Sequence, residues 1–141
     1  MSLDIKKELT DLQNMYKDSA RESSFNLLLY GGMGTGKTNC ARTCHKPVLI
    51  HSFDPGGTKT VLDEVEKGTI YVDNRFEIED PMNPTAFASW DKEYHRLKQG
   101  GVFDKIGTYM IDSATTWSGS AMNVTLKKAG RQGGTPQQND Y

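Results

Sequence analysis

Gly31 to Thr38 reads GGMGTGKT, four glycines in six residues followed directly by a lysine and a threonine. The spacing fits G-x-x-x-x-G-K-[ST], and the chemistry of such a stretch is the binding of a phosphate chain. Phosphates carry several negative charges that must be bound after losing water. Successive backbone N–H groups, turned inward by residues free to adopt positive φ, supply neutral donors around them. Gly31, Gly32, Met33, Gly34, Thr35, Gly36, Lys37, Thr38 and Asn39 are therefore the candidate cradle of a nucleoside triphosphate. In such loops the lysine, here Lys37, reaches the β- and γ-phosphates, and the threonine hydroxyl, here Thr38, ligates Mg²⁺.

A phosphate site needs a carboxylate on a neighbouring strand to hold the metal. The stretch GTYMIDSATTW supplies Asp112 at the end of an apolar run, followed by Ser113. Many ATPases carry a glutamate at that next position to activate water. With serine there, a catalytic base has to come from elsewhere. Asp54, closing VLIHSFDPGG, is the candidate: its carboxylate could polarise an attacking water across the top of the sheet. The bland reading of Asp54 is a residue that caps its Asp-Pro-Gly-Gly turn, and the sequence leaves both open.

The elements that must position these groups follow from periodicity. Ile5, Leu9, Leu12 and Tyr16 share one helical face, so Asp4–Lys17 is expected to be an amphipathic helix, joined by a polar linker to a strand Phe25–Tyr30. A helix should open at the glycine loop, lend its positive dipole end to the phosphates and run through Cys44 before Pro47 stops it. Val48–Phe53, Thr69–Val72 and Ile106–Asp112 read as strands, with a short helix Thr58–Lys67 between the first two. Asn83 is expected to cap a helix that begins with Pro84, carries Phe87, Trp90, Tyr94 and Leu97 inward, and ends at Gly100. A last helix should span Ala114–Lys128. Strands alternating with helices indicate an α/β domain around a mainly parallel sheet. Three segments result: residues 1–24 as helix and linker, 25–130 as the nucleotide-binding core, and 131–141 as a polar tail or an interrupted loop.

Bulk properties narrow the class. At 141 residues, with net charge −1 and 35% hydrophobic residues, the chain suits one globular core. No global positive charge advertises nucleic acid, and the longest apolar run, Leu27–Tyr30, is far too short to cross a bilayer. No basic-then-apolar leader opens the chain, so a cytoplasmic protein without a membrane segment is expected. Cys40 and Cys44, with His45 and His51 nearby, could be imagined as a metal site, but they lack a fourth ligand; two reduced thiols packed on a sheet are the simpler expectation.

Together, LLYGGMGTGKT, YMIDS and an acidic residue closing the strand after the loop helix resemble the RecA-like branch of the P-loop ATPases, in particular small RecA-core proteins encoded by bacteriophages. The resemblance covers roughly residues 25–117. It implies a three-layer α/β/α P-loop NTPase fold, ATP and Mg²⁺ as ligands, possible homo-oligomers, and a role in DNA recombination or replication in the host cytoplasm. In that branch the residue aligned with Asp54 is typically glutamate and activates water; Asp54 is one methylene shorter. Beyond the helix that follows the metal-binding aspartate, the branch also carries a further strand with a polar sensor residue, set between the phosphate-loop strand and that aspartate's strand. None follows Asp112 here, which implies a core truncated at its C-terminus. The segment after that helix often contacts DNA, and Lys127, Lys128 and Arg131 beside Gly130, Gly133 and Gly134 would suit phosphates of single-stranded DNA.

Other chemistries share the loop. A small-molecule kinase would use the same glycines, but Arg42, Arg75 and Arg96 are too scattered for an arginine-rich lid. A DNA-packaging ATPase would be expected to carry glutamate where Ser113 stands. A nucleotide-binding structural protein without turnover fits the shorter Asp54. GTP stays open beside ATP.

Overall fold

The computed structural model describes residues 4–19 and 26–141, with the side chains of residues 16–19 left undescribed. The expected linker residues 20–24, the first expected strand residue Phe25 and the side chain of Tyr16 therefore lie outside the described residues. The chain divides into two compact units, residues 1–31 and 32–141.

The first unit holds α1 (Ile5–Ser19), whose start is held by Asp4 Oδ1 accepting from Lys7 N–H at 3.2 Å. Ile5, Leu9 and Leu12 lie exposed along it, at the predicted helical spacing. Leu27–Tyr30 is where expectation and structure part: it forms no strand, and Leu28 and Tyr30 are exposed. A four-residue apolar run becomes a strand only when a neighbouring ladder takes up its N–H and C=O groups. Hydrophobicity alone does not supply that partner.

The second unit is a mixed α/β fold around a three-stranded parallel sheet. Its strands are β1 (Val48–Ser52), β2 (Ile70–Asp73) and β3 (Thr108–Asp112), in the order β2-β1-β3. The register pairs Ile50 with Val72 and Met110, and Ser52 with Asp112. Alternation along β1 sends successive side chains to opposite faces, and each face has its own core. Val48, Ile50 and Ile70 pack with Ala41 and Val61, joined by Cys44, Val65 and Met110. The other face is aromatic: Phe53, Phe76 and Trp90 pack with Phe87, Tyr94 and Trp117.

The first of these cores is covered by 3₁₀ turns at Thr38–Thr43 and Gly57–Val61 and by α2 (Leu62–Glu66); the second by α3 (Ala86–Gln99) and α4 (Ala114–Lys128). The expected helix from the glycine loop through Cys44 is thus a six-residue 3₁₀ segment. Local side-chain bonding explains the shortening. Thr43 Oγ1 donates to Cys40 O at 2.9 Å, competing with the backbone ladder in a run where Thr38, Asn39, Cys40 and Thr43 are weak helix formers. So short a helix adds little dipole to the loop.

The start of α3 also differs from expectation. Asn83 does not cap it and Pro84 precedes it. Glu79 Oε2 instead accepts from the N–H groups of Thr85 (3.2 Å) and Ala86 (3.0 Å), while Asn83 Oδ1 accepts from Lys127 Nζ. β3 starts at Thr108, two residues later than predicted; Gly107 and Thr108 N–H share Pro47 O, at 2.8 and 3.2 Å. After α4, Arg131 N–H donates to Leu126 O, and the Arg131 guanidinium pairs with Asp140.

Candidate functional site

The C-terminal edge of a parallel sheet is where the ends of adjacent strands and the loops after them converge. Here that edge gathers polar groups from segments far apart in sequence. Asp112, the last residue of β3, is buried, with 8% of its surface exposed. Its Oδ2 accepts from the Thr38 hydroxyl at 2.6 Å, and its carbonyl accepts from Phe53 N–H at 2.6 Å. The end of the glycine loop and the carboxylate of β3 are thus brought together.

Gly31 closes the first unit, and Gly32–Thr38 opens the second. Gly34 and Gly36 adopt φ of +76° and +86° with open space where a Cβ would stand, so their constraint is conformational rather than steric. Lys37 Nζ folds back to Gly32 O at 2.8 Å, and Thr35 Oγ1 donates to the same carbonyl at 2.9 Å. Met33 is fully exposed. Asn39, expected beside the phosphates, is engaged by Arg42.

Asp54 follows β1 and lies within the same cluster. A Cβ on Gly57 would sit 3.4 Å from the Asp54 Cβ and 4.0 Å from Asp112 Oδ2, so the two carboxylate residues flank that glycine. Asp54 Oδ1 accepts from the Thr116 hydroxyl. Thr116 has one proton and gives it to Asp54, so the Ser113 hydroxyl, 2.6 Å away, must donate to Thr116. Ser113 also caps α4, accepting from Thr116 N–H at 3.4 Å. The Asp112–Ser113 peptide bond is cis.

Two residues of the site went unread in the sequence. Thr116 had a signal available, since it lies three residues after the Ser113 cap and therefore returns to the same end of α4. Glu77 had none: it sits in the loop 74–85, away from any periodic pattern. Its Oε1 accepts from the buried Ser52 hydroxyl at 2.6 Å and its Oε2 faces Gly56 N–H at 3.4 Å.

Of the basic residues expected at DNA, Lys127 reaches Asn83 and Arg131 pairs with Asp140, while Lys128 is exposed. Neither cysteine is in a disulfide, and Cys44 packs on the aliphatic core, where burial pushes its thiol pKa up. Among the described residues no three His, Cys, Asp or Glu side chains converge on a metal-sized point, and no helix is long and apolar enough to cross a membrane. A cation at Thr38 and Asp112 would therefore have two hard oxygen donors from the protein, which suits Mg²⁺ completed by phosphate and water oxygens rather than an all-protein cage.

No protein-family model, curated protein or solved structure matches the chain.

Proposed function

We propose that the chain binds ATP with Mg²⁺ through a RecA-like P-loop core and hydrolyses it, as part of a protein that acts on DNA in recombination or replication. The observation that carries the reading is the 2.6 Å hydrogen bond from Thr38 to Asp112. It joins the end of a phosphate-loop motif to a carboxylate at the C-terminal edge of a parallel sheet, the two parts such a site requires.

In this reading the loop amides and Lys37 bind the phosphate chain, Lys37 exchanging its contact with Gly32 O for phosphate oxygens. Thr38 and Asp112 would hold Mg²⁺, which offsets charge on the β- and γ-phosphates. Asp54 accepts a proton from the water that attacks the γ-phosphorus, as the bond from that phosphorus to the bridging oxygen breaks and ADP leaves. With Oδ1 engaged by Thr116, Oδ2 of Asp54 is the oxygen that takes the proton. Contact with single-stranded DNA through Lys127, Lys128 and Arg131 belongs to the same proposal.

A second reading, nucleotide binding without turnover, draws support from that engagement, because an Asp54 tied to Thr116 is also a structural residue. Titration with a fluorescent ATP analogue, followed by measurement of phosphate release, tests both. Binding that needs Mg²⁺ and is lost in Lys37→Ala is expected; wild-type protein that binds no nucleotide overturns the proposal. Binding without phosphate release selects the second reading. Turnover indifferent to single-stranded DNA removes the DNA part.

A further inference from the structure

Asp54 sits in a turn that β1 alone does not hold. The turn closes on itself through Gly57 N–H to Asp54 O at 3.0 Å, and Gly56 takes φ of +74°. The turn is tied to β1 by the Ser52 hydroxyl, which reaches Asp54 O at 3.5 Å, to α4 by Thr116 at Asp54 Oδ1, and to a residue more than twenty positions downstream. Glu77 reaches the last residue of β1 with one carboxylate oxygen, at Ser52 Oγ, and the turn with the other, at Gly56 N–H. The neighbouring Phe76 is 2% exposed and stacks on Phe53 with ring centroids 5.4 Å apart, so the segment bearing Glu77 is anchored in the aromatic core.

We propose that Glu77 is a positioning residue for Asp54: its carboxylate bridges Ser52 and Gly56 and so fixes the Asp54–Gly57 turn where the Asp54 carboxylate meets Thr116. The role in turnover rests on the ATPase reading; the role in holding the turn does not. Glu77 does not touch the reacting atoms. It sets the direction from which Asp54 approaches them, and a displacement on the order of 1 Å at such a group is enough to slow a reaction about 100-fold. Removing Glu77 also leaves the buried Ser52 hydroxyl with only its long 3.5 Å contact to Asp54 O, which loosens the end of β1.

The test uses the full chain and two readouts. In nucleotide-free protein, Glu77→Ala is expected to speed hydrogen exchange at the Gly56 and Gly57 amides about tenfold or more and to move the carboxyl carbon signal of Asp54, with the β2 amides unchanged. Glu77→Gln, which keeps an acceptor for Ser52 but turns an NH₂ toward Gly56, should give a smaller change of the same kind and stands in if the alanine variant does not fold. Unchanged Gly56 exchange and an unmoved Asp54 signal overturn the proposal whether or not the protein binds ATP. In turnover, Glu77→Ala should lower kcat about 10- to 100-fold with nucleotide affinity retained, and add nothing further in an Asp54→Asn background. Independent, multiplicative losses would mean that Glu77 does not act through Asp54. Wild-type protein that fails to bind ATP would sink the ATPase reading and leave the exchange result to decide the role of Glu77.

Discussion

Tyr109 of β3 and His51 of β1 are joined by a 2.9 Å hydrogen bond in the aromatic core, where His51 has no exposed surface. Trp90 Nε1 donates to the same Tyr109 oxygen at 2.9 Å. An indole can only donate, so the phenol proton is left for His51 Nδ1, which makes the ring the neutral Nε2–H tautomer. Nε2 finds no hydrogen-bond partner, and the ring lies edge-on to Phe76 at 5.2 Å. Burial lowers the His51 pKa below its ordinary 6.5, opposed by Asp73 and Glu93 and assisted by Arg75, while burial raises that of Tyr109 to about 12.

The sign for stability follows. The unfolded chain takes up a proton on His51 near pH 6.5, but the folded chain does so only at lower pH. Folding therefore weakens as pH falls below 6.5 toward the lower folded-state pKa of His51. Urea midpoints measured across that interval should decline as pH is lowered. NMR titration should give His51 a midpoint below 6.5, and one at or above that value would refute the buried neutral ring.

Glu79 stands in for the missing cap of α3, accepting from Thr85 and Ala86 N–H. Glu79→Ala should cost about 1–2 kcal/mol, read as a lower urea midpoint. Asn83→Ala should leave the start of α3 intact, since its side chain binds Lys127 instead.

Thr38→Val preserves shape and deletes the hydroxyl that meets Asp112. Nucleotide affinity in the presence of Mg²⁺ should fall about 10- to 100-fold, while affinity measured in excess chelator stays as in wild type. An equal loss under both conditions would mean that Thr38 supports the loop and not the cation.

What was legible in the sequence was what local rules control. The helix Ala114–Lys128 has the expected bounds because Ser113 caps its start and Gly130, at φ +69°, follows its end. The strands of the sheet were visible as short apolar runs before turn residues, and Thr38 and Asp112 were singled out by their motifs. Leu27–Tyr30 failed because strand pairing is not written in the run itself. Asn83 and Pro84 looked like a helix start, but a carboxylate from the loop before them took the capping role. Glu77 was invisible for the same reason: its meaning lies in Ser52 and Gly56, which only the fold brings to it.

His51 and Ser52 are neighbours in β1, and the strand sends one into the aromatic core and the other toward Glu77. A slip of one residue in the pairing of β1 would exchange them, stranding a hydroxyl among rings and an imidazole beside a carboxylate. Errors of assembly in this sheet therefore carry a penalty on both faces at once. The central strand, paired with both neighbours, thus carries its register check on its two faces rather than in its backbone ladder alone.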